Sequence, residues 1–347
     1  MDLHFFIPGD LNALTGGYIY DKRIVEGLRL CGNMVRLHSL ASDFPFPSSE
    51  SKLQCQKSIR SLPKGEIVIF DSLVFGSIPE LLREIKHDNP IVALIHLPLS
   101  MNTTFVDEKR KSVSILEKEA FALANLIIVT SHFTEKLLLE TGVDQSLIKV
   151  VIPGAEAHLH KKYYKRLPRE LITVSNYTRN KGYLHLINAL SNLKHLNWQL
   201  NCYGNIYFDP EYVKELSDLI VENNLSDRIF LHSSISGYEL SEAYIHSDLL
   251  IHPSGFESYG MVLVEALVHG IPVITSKGGA ITQTVPASMG VFFDADDKNS
   301  LGKALAHVFT DENLFKKLCN ETSKYIHGAR RWEKSVKEFE EVLLALL

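Results

Sequence analysis

The chain has 347 residues, a formal net charge of −5, 45% hydrophobic residues and 22% charged residues. This length suffices for two domains that each bury a core, and the composition is that of an ordinary soluble globular protein. An acidic chain without a basic excess argues against a nucleic-acid-binding protein.

The first half of the sequence alternates apolar strand patterns with helical patterns. Strands are predicted at residues 3–7, 34–40, 67–70, 91–95, 126–129 and 148–152. Helices are predicted at residues 18–31, 54–61, 78–87, 113–124 and 132–141, with an irregular Ser- and Pro-rich segment at 41–53. Strands separated by helices indicate a parallel sheet that helices cover on both faces.

A segment bounded by prolines, residues 153–168, has neither period and is predicted to be a linker. The alternation then resumes, with strands at 171–175, 198–203, 229–231, 249–251, 272–275 and 291–293 and helices between them. The tail 332–347 has one broad apolar face, so it is expected to cross back to the first domain. We therefore predict an α/β protein with two Rossmann-like, doubly wound domains, residues 1–160 with helix 331–347, and residues 161–330.

The stretch from His252 to Gly279 carries the strongest functional pattern. A Pro-, Gly- and Ser-rich loop leads from a strand into an apolar helix, and Glu257 and Glu265 lie eight positions apart. A helix start rich in glycine offers unpaired backbone N–H groups and the positive end of the helix dipole, which suits an anion. Carboxylates on either side can accept hydrogen bonds from hydroxyl groups. Such a site could bind a sugar, phosphates and a ribose in that order, which is the arrangement of groups in a nucleotide sugar.

Ligands in open parallel sheets bind beyond the carboxyl ends of the strands. We therefore expect the two domains to face each other across a cleft at those ends. The loops that would line it are 8–17, the loop at His96, 176–181, 204–210, 233–237 and 253–260.

The second half resembles the donor domain of GT-B fold retaining glycosyltransferases, most closely family 4, the glycosyl transferases group 1. The paired glutamates Glu257-SYGMVLV-Glu265 lie between HPSGF and EALVHGIPVITSKGG, and together these parts form a highly specific motif. VSNYTRNKG (174–182), IFLHSSISGYEL (229–240) and MGVFFDADDKNSL (289–301) extend the similarity. TGG (15–17), LIHLP around His96 and LIIVTSHFTEKLL (126–138) fit more loosely.

The resemblance implies a role for each matching residue. The residues implied in catalysis are His96, Arg179, Lys181 and Glu257, with Arg179 and Lys181 neutralising the donor diphosphate. Glu265 would hold the ribose, Glu257 and the amides of Ser258, Tyr259, Gly260 and Met261 the sugar, and Ser234 and Ile235 the base edge. Asn176 and Gly204 would line the donor site, and Gly16 and Gly17 would let backbone approach the phosphates. For each charged residue the alternative is an ordinary solvated or structural side chain.

The sequence departs from the family pattern at three places. Asn176 stands five positions before Lys181, where arginine is usual, and this puts the strength of the phosphate site in doubt. Only one glycine, Gly204, appears after the strand at 198–203, where many members have a second glycine. Residues 280–283 lack the frequent acid.

The expected activity is transfer of a sugar, with retained configuration, from a UDP- or GDP-sugar to a sugar, lipid-linked glycan or small-molecule acceptor. No cofactor or metal is expected, because no DxD-like clamp stands out. The alternatives are a nucleotide-sugar 2-epimerase of the same architecture and an inactive nucleotide-sugar-binding partner. Four scattered cysteines and the lack of a signal or membrane-spanning segment favour a cytoplasmic protein with at most peripheral contact with the inner membrane surface.

Overall fold

The computed structural model describes residues 1–102, 105–156 and 167–347, and these residues form two compact units. Unit 1 comprises Met1–Gly154 and Trp332–Leu347, and unit 2 comprises Ala155–Arg331. The expected boundary after residue 160 lies outside the described residues, as does most of the predicted linker.

Unit 1 contains one parallel sheet with the strand order β2-β1-β3-β4-β5-β6. Its strands are β1 (Asp2–Pro8), β2 (Met34–Leu40), β3 (Ile67–Asp71), β4 (Ile91–Ile95), β5 (Leu126–Val129) and β6 (Ile148–Val150). Every residue of β3, β4 and β5 is buried, as expected for central strands that are covered on both faces. The chain changes direction between β1 and β3, so the loops that follow these two strands are neighbours.

The helices of this half are α1 (Gly16–Leu30), α2 (Ser49–Arg60), α3 (Ser72–Phe75), α4 (Pro79–Ile85), α5 (Asp107–Phe121) and α6 (His132–Glu140). The expectation that 41–53 is wholly irregular is wrong, because α2 begins at Ser49. Ser48 caps this helix by accepting a hydrogen bond from the Ser51 amide, and Glu50 follows in the first turn. Only Ser51, Cys55 and Ile59 of α2 are buried, which explains why the apolar pattern was weak there.

Unit 2 repeats the design with the strand order β12-β11-β10-β7-β8-β9. Its strands are β7 (Glu170–Val174), β8 (Gln199–Tyr203), β9 (Ile229–His232), β10 (Leu249–His252), β11 (Val273–Thr275) and β12 (Gly290–Phe292). Its helices are α7 (Tyr183–Ser191), α8 (Pro210–Glu222), α9 (Gly237–Ile245), α10 (Met261–Val268), α11 (Ile281–Thr284), α12 (Ser300–Thr310) and α13 (Glu312–Tyr325). Here the direction changes between β7 and β10, so the loops after these strands are neighbours.

The last helix, α14 (Trp332–Leu344), belongs to unit 1 and confirms the prediction that the tail returns to the first domain. Its residues Val336, Phe339 and Leu343 are buried in the same apolar cluster as strand β1 and helix α1. A Cβ atom on Gly27 of α1 would lie 2.2 Å from a methyl carbon of Val336, so the glycine makes room for the close approach of the two helices. In the described part of the chain, no helix combines the length and apolar character needed to cross a membrane.

Candidate active site

The loops after β7 and β10 are held together in unit 2 by close backbone contact. A tight turn, Arg179–Lys181, ends at Gly182, whose φ of 75° lies in the left-handed region. A Cβ atom at Gly182 would lie 2.4 Å from the carbonyl oxygen of Pro253, so a larger residue would push the two loops apart. This contact places Lys181 beside the loop that carries Glu257.

Lys181, Glu257 and His252 form a three-residue cluster, which we call the Glu257 cluster. The Nζ atom of Lys181 donates to Oε1 of Glu257 at 2.5 Å, and Nε2 of His252 lies 2.8 Å from the same oxygen. The side chains of Lys181 and Glu257 are 23% and 16% exposed, whereas that of His252 is 2% exposed. Because a carboxylate only accepts hydrogen bonds, Nε2 of His252 carries a proton. The cluster is a partly buried ion pair of Lys181 and Glu257, and the buried imidazole of His252 donates a hydrogen bond to the same carboxylate oxygen.

The pKa of Glu257 reflects this environment. Burial by itself would raise the pKa of the carboxyl group, but Lys181 and His252 outweigh burial and lower it well below its ordinary value. Glu257 is therefore a carboxylate throughout the physiological range. A negative charge at this position keeps the ammonium group of Lys181 in place.

The loop that carries Glu257 leads directly into the N-terminus of α10. Gly260 precedes the helix with a φ of 88°, and as a glycine it offers no side chain to cap the first turn. The amide of Ala280 donates to the carbonyl of Glu257 at 2.8 Å, and a Cβ atom at Gly279 would lie 2.1 Å from that oxygen. The uncapped N–H groups and the helix dipole, with Lys181 on the adjoining loop, make an anion site.

Glu265 lies in the second turn of α10 and is partly buried. Its Oε2 atom accepts a hydrogen bond from the hydroxyl of Tyr244 on α9 at 3.0 Å. Ser258, Tyr259 and Gly260 precede α10, and Met261 is its first residue. The partly buried side chain of Tyr259 packs against the small apolar cluster of Ala155, Val264 and Val268.

Arg179 is not brought into the Glu257 cluster. Its guanidinium group pairs with Glu215 of α8 at 2.7 Å and lies over the ring of Tyr212, 4.9 Å from the ring centroid. The side chain is 63% exposed. Its predicted role in binding phosphate therefore stays a prediction that requires the side chain to leave α8.

The remaining predicted donor residues occupy the loops expected for them. Oδ1 of Asn176 accepts from the Asn205 amide at 3.4 Å, so Asn176 connects the loops after β7 and β8. A Cβ atom at Gly204 would lie 2.2 Å from the Ser175 carbonyl oxygen, which explains the glycine there. Ser234 and Ile235 lie in the connection between β9 and α9.

His96 belongs to a separate cluster in unit 1, formed with Asp21 and Asp71. Its Nε2 atom is 2.9 Å from Oδ1 of Asp21 and 3.7 Å from Oδ2 of Asp71. The two aspartates are 1% and 4% exposed. Gly16 and Gly17 begin α1, and a Cβ atom at Gly17 would lie 3.2 Å from Cδ2 of His96.

The buried carboxyl groups change the protonation of this cluster. Burial and the charge of Asp21 raise the pKa of Asp71 to about 7. Burial alone would lower the pKa of His96, but Asp21 and Asp71 together raise it above its ordinary value. Each of the three side chains offers a ligand atom within 4.8 Å of the others, a set that a divalent cation could use. Nε2 of His96 is already hydrogen-bonded to Oδ1 of Asp21 in this cluster.

We expect Asp71→Asn to remove part of the pH dependence of stability. Between the ordinary carboxyl pKa of 3.8 and the folded value of about 7, unfolding releases a proton from Asp71, so wild-type stability falls as the pH rises. The raised pKa of His96 acts in the same direction above its ordinary value of 6.5. Urea unfolding should show the variant more stable by about 1–3 kcal/mol at pH 8 than the wild type, with little difference near pH 4.

Asp88→Asn is the matched control, because Asp88 is an exposed aspartate that pairs with Lys64 on the surface of the same unit. It should leave the pH dependence unchanged. Equal pH dependence of the wild type and Asp71→Asn would show that Asp71 is ionised in the folded protein at neutral pH.

Three residues of these clusters were not singled out from the sequence. His252 lies inside the quoted motif but carries no predicted role, and neither do Asp21 and Asp71. A usable signal existed for two of them, because His252 and Asp71 are the last residues of β10 and β3. Asp21 lies in the middle of α1 and gives no such signal.

Comparison with known proteins identifies the family. Residues 157–327 match the family model described as Glycosyl transferases group 1. MMP alpha-(1->4)-mannosyltransferase of Mycolicibacterium hassiacum is 24% identical over 262 residues, which cover 72% of this chain and 62% of that protein. D-inositol 3-phosphate glycosyltransferase of Xylanimonas cellulosilytica is 29% identical over 249 residues, 65% of this chain and 60% of that protein. The chain thus spans about three fifths of the length of these curated relatives.

Solved structures resemble nearly the whole chain. Sucrose-phosphate synthase from Thermosynechococcus elongatus has a TM-score of 0.80 at 18% identity, over 99% of this chain and 98% of that one. HepE from Anabaena, in complex with UDP and glucose, has a TM-score of 0.77 at 16% identity, over 99% of this chain and 100% of that one. The chain has the GT-B fold, and its residues 157–327 form a domain of the glycosyl transferases group 1 family.

Proposed function

We propose that the protein is a retaining glycosyltransferase of family 4 that moves a sugar from a nucleotide diphosphate sugar to an acceptor hydroxyl. The observation that carries the proposal is the Glu257 cluster beside the uncapped N-terminus of α10. A lysine that a partly buried carboxylate holds beside the N-terminus of a helix suits a diphosphate.

Lys181 and the first amides of α10 bind the diphosphate in this proposal. One of the three hydrogens on Nζ is used by Glu257, which leaves the others for phosphate oxygens. Glu257 accepts hydrogen bonds from sugar hydroxyls while it holds Lys181. Glu265, on the same helix, accepts hydrogen bonds from the ribose.

The chemical step breaks the bond between the anomeric carbon and the diphosphate oxygen, and the bonding electrons leave with the diphosphate. The acceptor oxygen attacks the anomeric carbon from the same face, and its proton passes to a phosphate oxygen. Negative charge builds up on the departing diphosphate, so fixed positive charge there lowers the barrier most. In unit 1, we propose that His96, whose pKa is raised by Asp21 and Asp71, donates a hydrogen bond to a substrate hydroxyl. This mechanism needs no residue of the Glu257 cluster as a covalent nucleophile.

The proposed donor is a UDP-sugar. HepE, whose fold this chain shares, has been solved with UDP-glucose as well as with UDP and glucose. The acceptor class stays as broad as the sequence left it, a sugar, a lipid-linked glycan or a small molecule. No metal ion is required in this proposal, since Lys181 and the helix N-terminus supply the positive charge.

Incubation with a panel of UDP-, GDP- and ADP-sugars, followed by NMR, tests the proposal. Slow hydrolysis of one donor, or transfer to a sugar acceptor, with retained anomeric configuration is the expected result. Epimerised donor would instead identify a 2-epimerase. Binding without turnover would identify an inactive nucleotide-sugar-binding protein, and inverted configuration would contradict the proposed mechanism.

Glu265→Ala should weaken nucleotide binding about 10- to 100-fold. The carboxylate is proposed to accept hydrogen bonds from the ribose, and a charge-assisted bond of this kind contributes about 1.5–3 kcal/mol. Isothermal titration calorimetry with UDP measures the effect. The control is Glu242→Ala, which removes a carboxylate from the exposed side of α9. Unchanged affinity of Glu265→Ala for UDP would rule out the ribose assignment.

A further inference from the structure

A buried tyrosine lies directly behind the carboxylate of Glu265. Tyr244 on α9 is 1% exposed, and its hydroxyl donates to Oε2 of Glu265 at 3.0 Å. Burial, together with the adjacent carboxylate, raises the pKa of Tyr244 well above its ordinary value. The hydroxyl therefore keeps its proton at every working pH and acts as a permanent donor to this carboxylate.

A histidine at the end of α10 fixes the ring of Tyr244. The two rings are stacked, with their centroids 4.9 Å apart and an angle of 28° between the planes. Nδ1 of His269 lies 2.7 Å from the carbonyl oxygen of Glu265, so this nitrogen is the protonated one. Its Nε2 atom lies 3.0 Å from the hydroxyl of Ser241, one turn before Tyr244 on α9. Glu265 is thus connected to α9 both through its side chain and through its backbone.

These contacts restrict a side chain that is otherwise flexible. A glutamate on a helix surface samples several rotamers, and a ligand that needs one of them must bear the entropy of ordering it. The hydrogen bond from Tyr244 fixes Oε2 and with it the plane of the carboxylate. The position of Oε1 is thereby set before any ligand arrives. Phenylalanine would fill the same space between α9 and His269, so packing alone does not explain the hydroxyl.

We propose that Tyr244 is a positioning residue for ribose recognition, acting through Glu265. The inference rests on the proposed function, because it takes the ribose as the ligand of Glu265. Tyr244 is buried and touches no substrate. Its hydroxyl preorganises the carboxylate, so removal of the hydroxyl weakens binding only of ligands whose ribose hydroxyls reach Glu265.

The test uses Tyr244→Phe, which keeps the ring and its stacking on His269 and deletes only the hydroxyl. Dissociation constants are measured by calorimetry for UDP and for 2′,3′-dideoxy-UDP, which lacks the ribose diol. The wild type should prefer UDP by about 10- to 100-fold, as expected for charge-assisted hydrogen bonds to the diol. Tyr244→Phe should bind UDP about 5- to 10-fold more weakly and dideoxy-UDP unchanged, since a typical hydrogen bond is lost. The KM for the donor should rise in the same proportion, with kcat at saturating donor unchanged.

Thr322→Val is the matched control for loss of a buried hydroxyl. The Thr322 hydroxyl donates to the carbonyl of Gly270, just beyond α10, and has no role in the proposed site. This variant should lower the melting temperature while the ratio of the two dissociation constants stays at the wild-type value. Because the ratio compares two ligands on the same protein, a general loss of stability does not change it.

One result would overturn the inference. It is an unchanged ratio of the two dissociation constants in Tyr244→Phe, whether the affinities for both nucleotides stay the same or fall equally. Glu265→Ala separates this failure from failure of the proposed function. The ratio is the dissociation constant of dideoxy-UDP divided by that of UDP. If Glu265→Ala lowers this ratio and Tyr244→Phe does not, only the role of Tyr244 is wrong. If neither variant changes the ratio, the ribose assignment itself is wrong.

Discussion

Lys181→Ala should lower kcat about 100- to 1000-fold at saturating donor, the range observed when one preorganised donor to a developing negative charge is removed. Nζ of Lys181 lies 2.5 Å from Oε1 of Glu257, and the lysine side chain is largely buried at 23% exposure, so Glu257 holds the charge in position. Initial rates at varied donor concentration separate the effect on kcat from the effect on KM.

Lys214→Ala is the control for Lys181→Ala. Lys214 lies on α8 of the same unit, pairs with Asp218 and is 76% exposed, so its removal should change neither constant. A Lys181→Ala variant that keeps the wild-type kcat would show that the lysine does not stabilise the leaving group. A rise in KM alone would mean that Lys181 binds the ground state and the transition state equally.

Glu257→Ala should reduce both activity and stability. The substitution leaves the ammonium group of Lys181 without its partner and the proton on Nε2 of His252 without an acceptor. Loss of one partner of a partly buried ion pair costs about 2–4 kcal/mol in unfolding free energy, and kcat/KM should fall at least about 100-fold. Urea unfolding and steady-state kinetics measure the two effects.

The stability loss in Glu257→Ala has a defined pH dependence. The folded-state pKa of Glu257 is lowered, so its contribution is fully present above the ordinary carboxyl pKa of 4.5 and is lost only as the pH falls toward the folded value. The difference from the wild type should thus be constant between about pH 6 and 8 and shrink in acid. Glu321→Ala, which breaks an exposed pair with Lys324, should cost less than about 1 kcal/mol. A similar small loss for Glu257→Ala would contradict the structural role of the cluster.

The alternation of strands and helices was predictable from the sequence because central parallel strands are continuous apolar runs. β3, β4 and β10 consist wholly of buried residues and were predicted within one or two residues of their ends. The start of α2 was missed because its first turn is held by the polar cap at Ser48. Strand order was not available from the sequence either, since it depends on which loops cross which face of the sheet.

The chemical character of the site was predictable, but the partners within it were not. Glu257 and Lys181 are 76 residues apart, and they meet because β10 lies next to β7. Arg179 is only two residues from Lys181, yet it pairs with Glu215 on α8. The position of a residue in a motif does not determine which neighbour a long, flexible side chain contacts. The proposed role of Tyr244 was also not predictable from the sequence, because it depends on the packing of α9 against α10.

The central claim is that the protein binds a nucleoside diphosphate sugar at the N-terminus of α10. Lys181 and this helix N-terminus bind the diphosphate, and the two glutamates bind the sugar and the ribose. A crystal structure with UDP-glucose, or with the UDP-sugar that the donor panel identifies, tests this claim most directly. We predict phosphate oxygens at hydrogen-bonding distance, about 3 Å, from the Met261 amide and from Nζ of Lys181, with the ribose hydroxyls at Glu265. A donor bound elsewhere, with the first turn of α10 empty or occupied by a side chain of the protein, would contradict it.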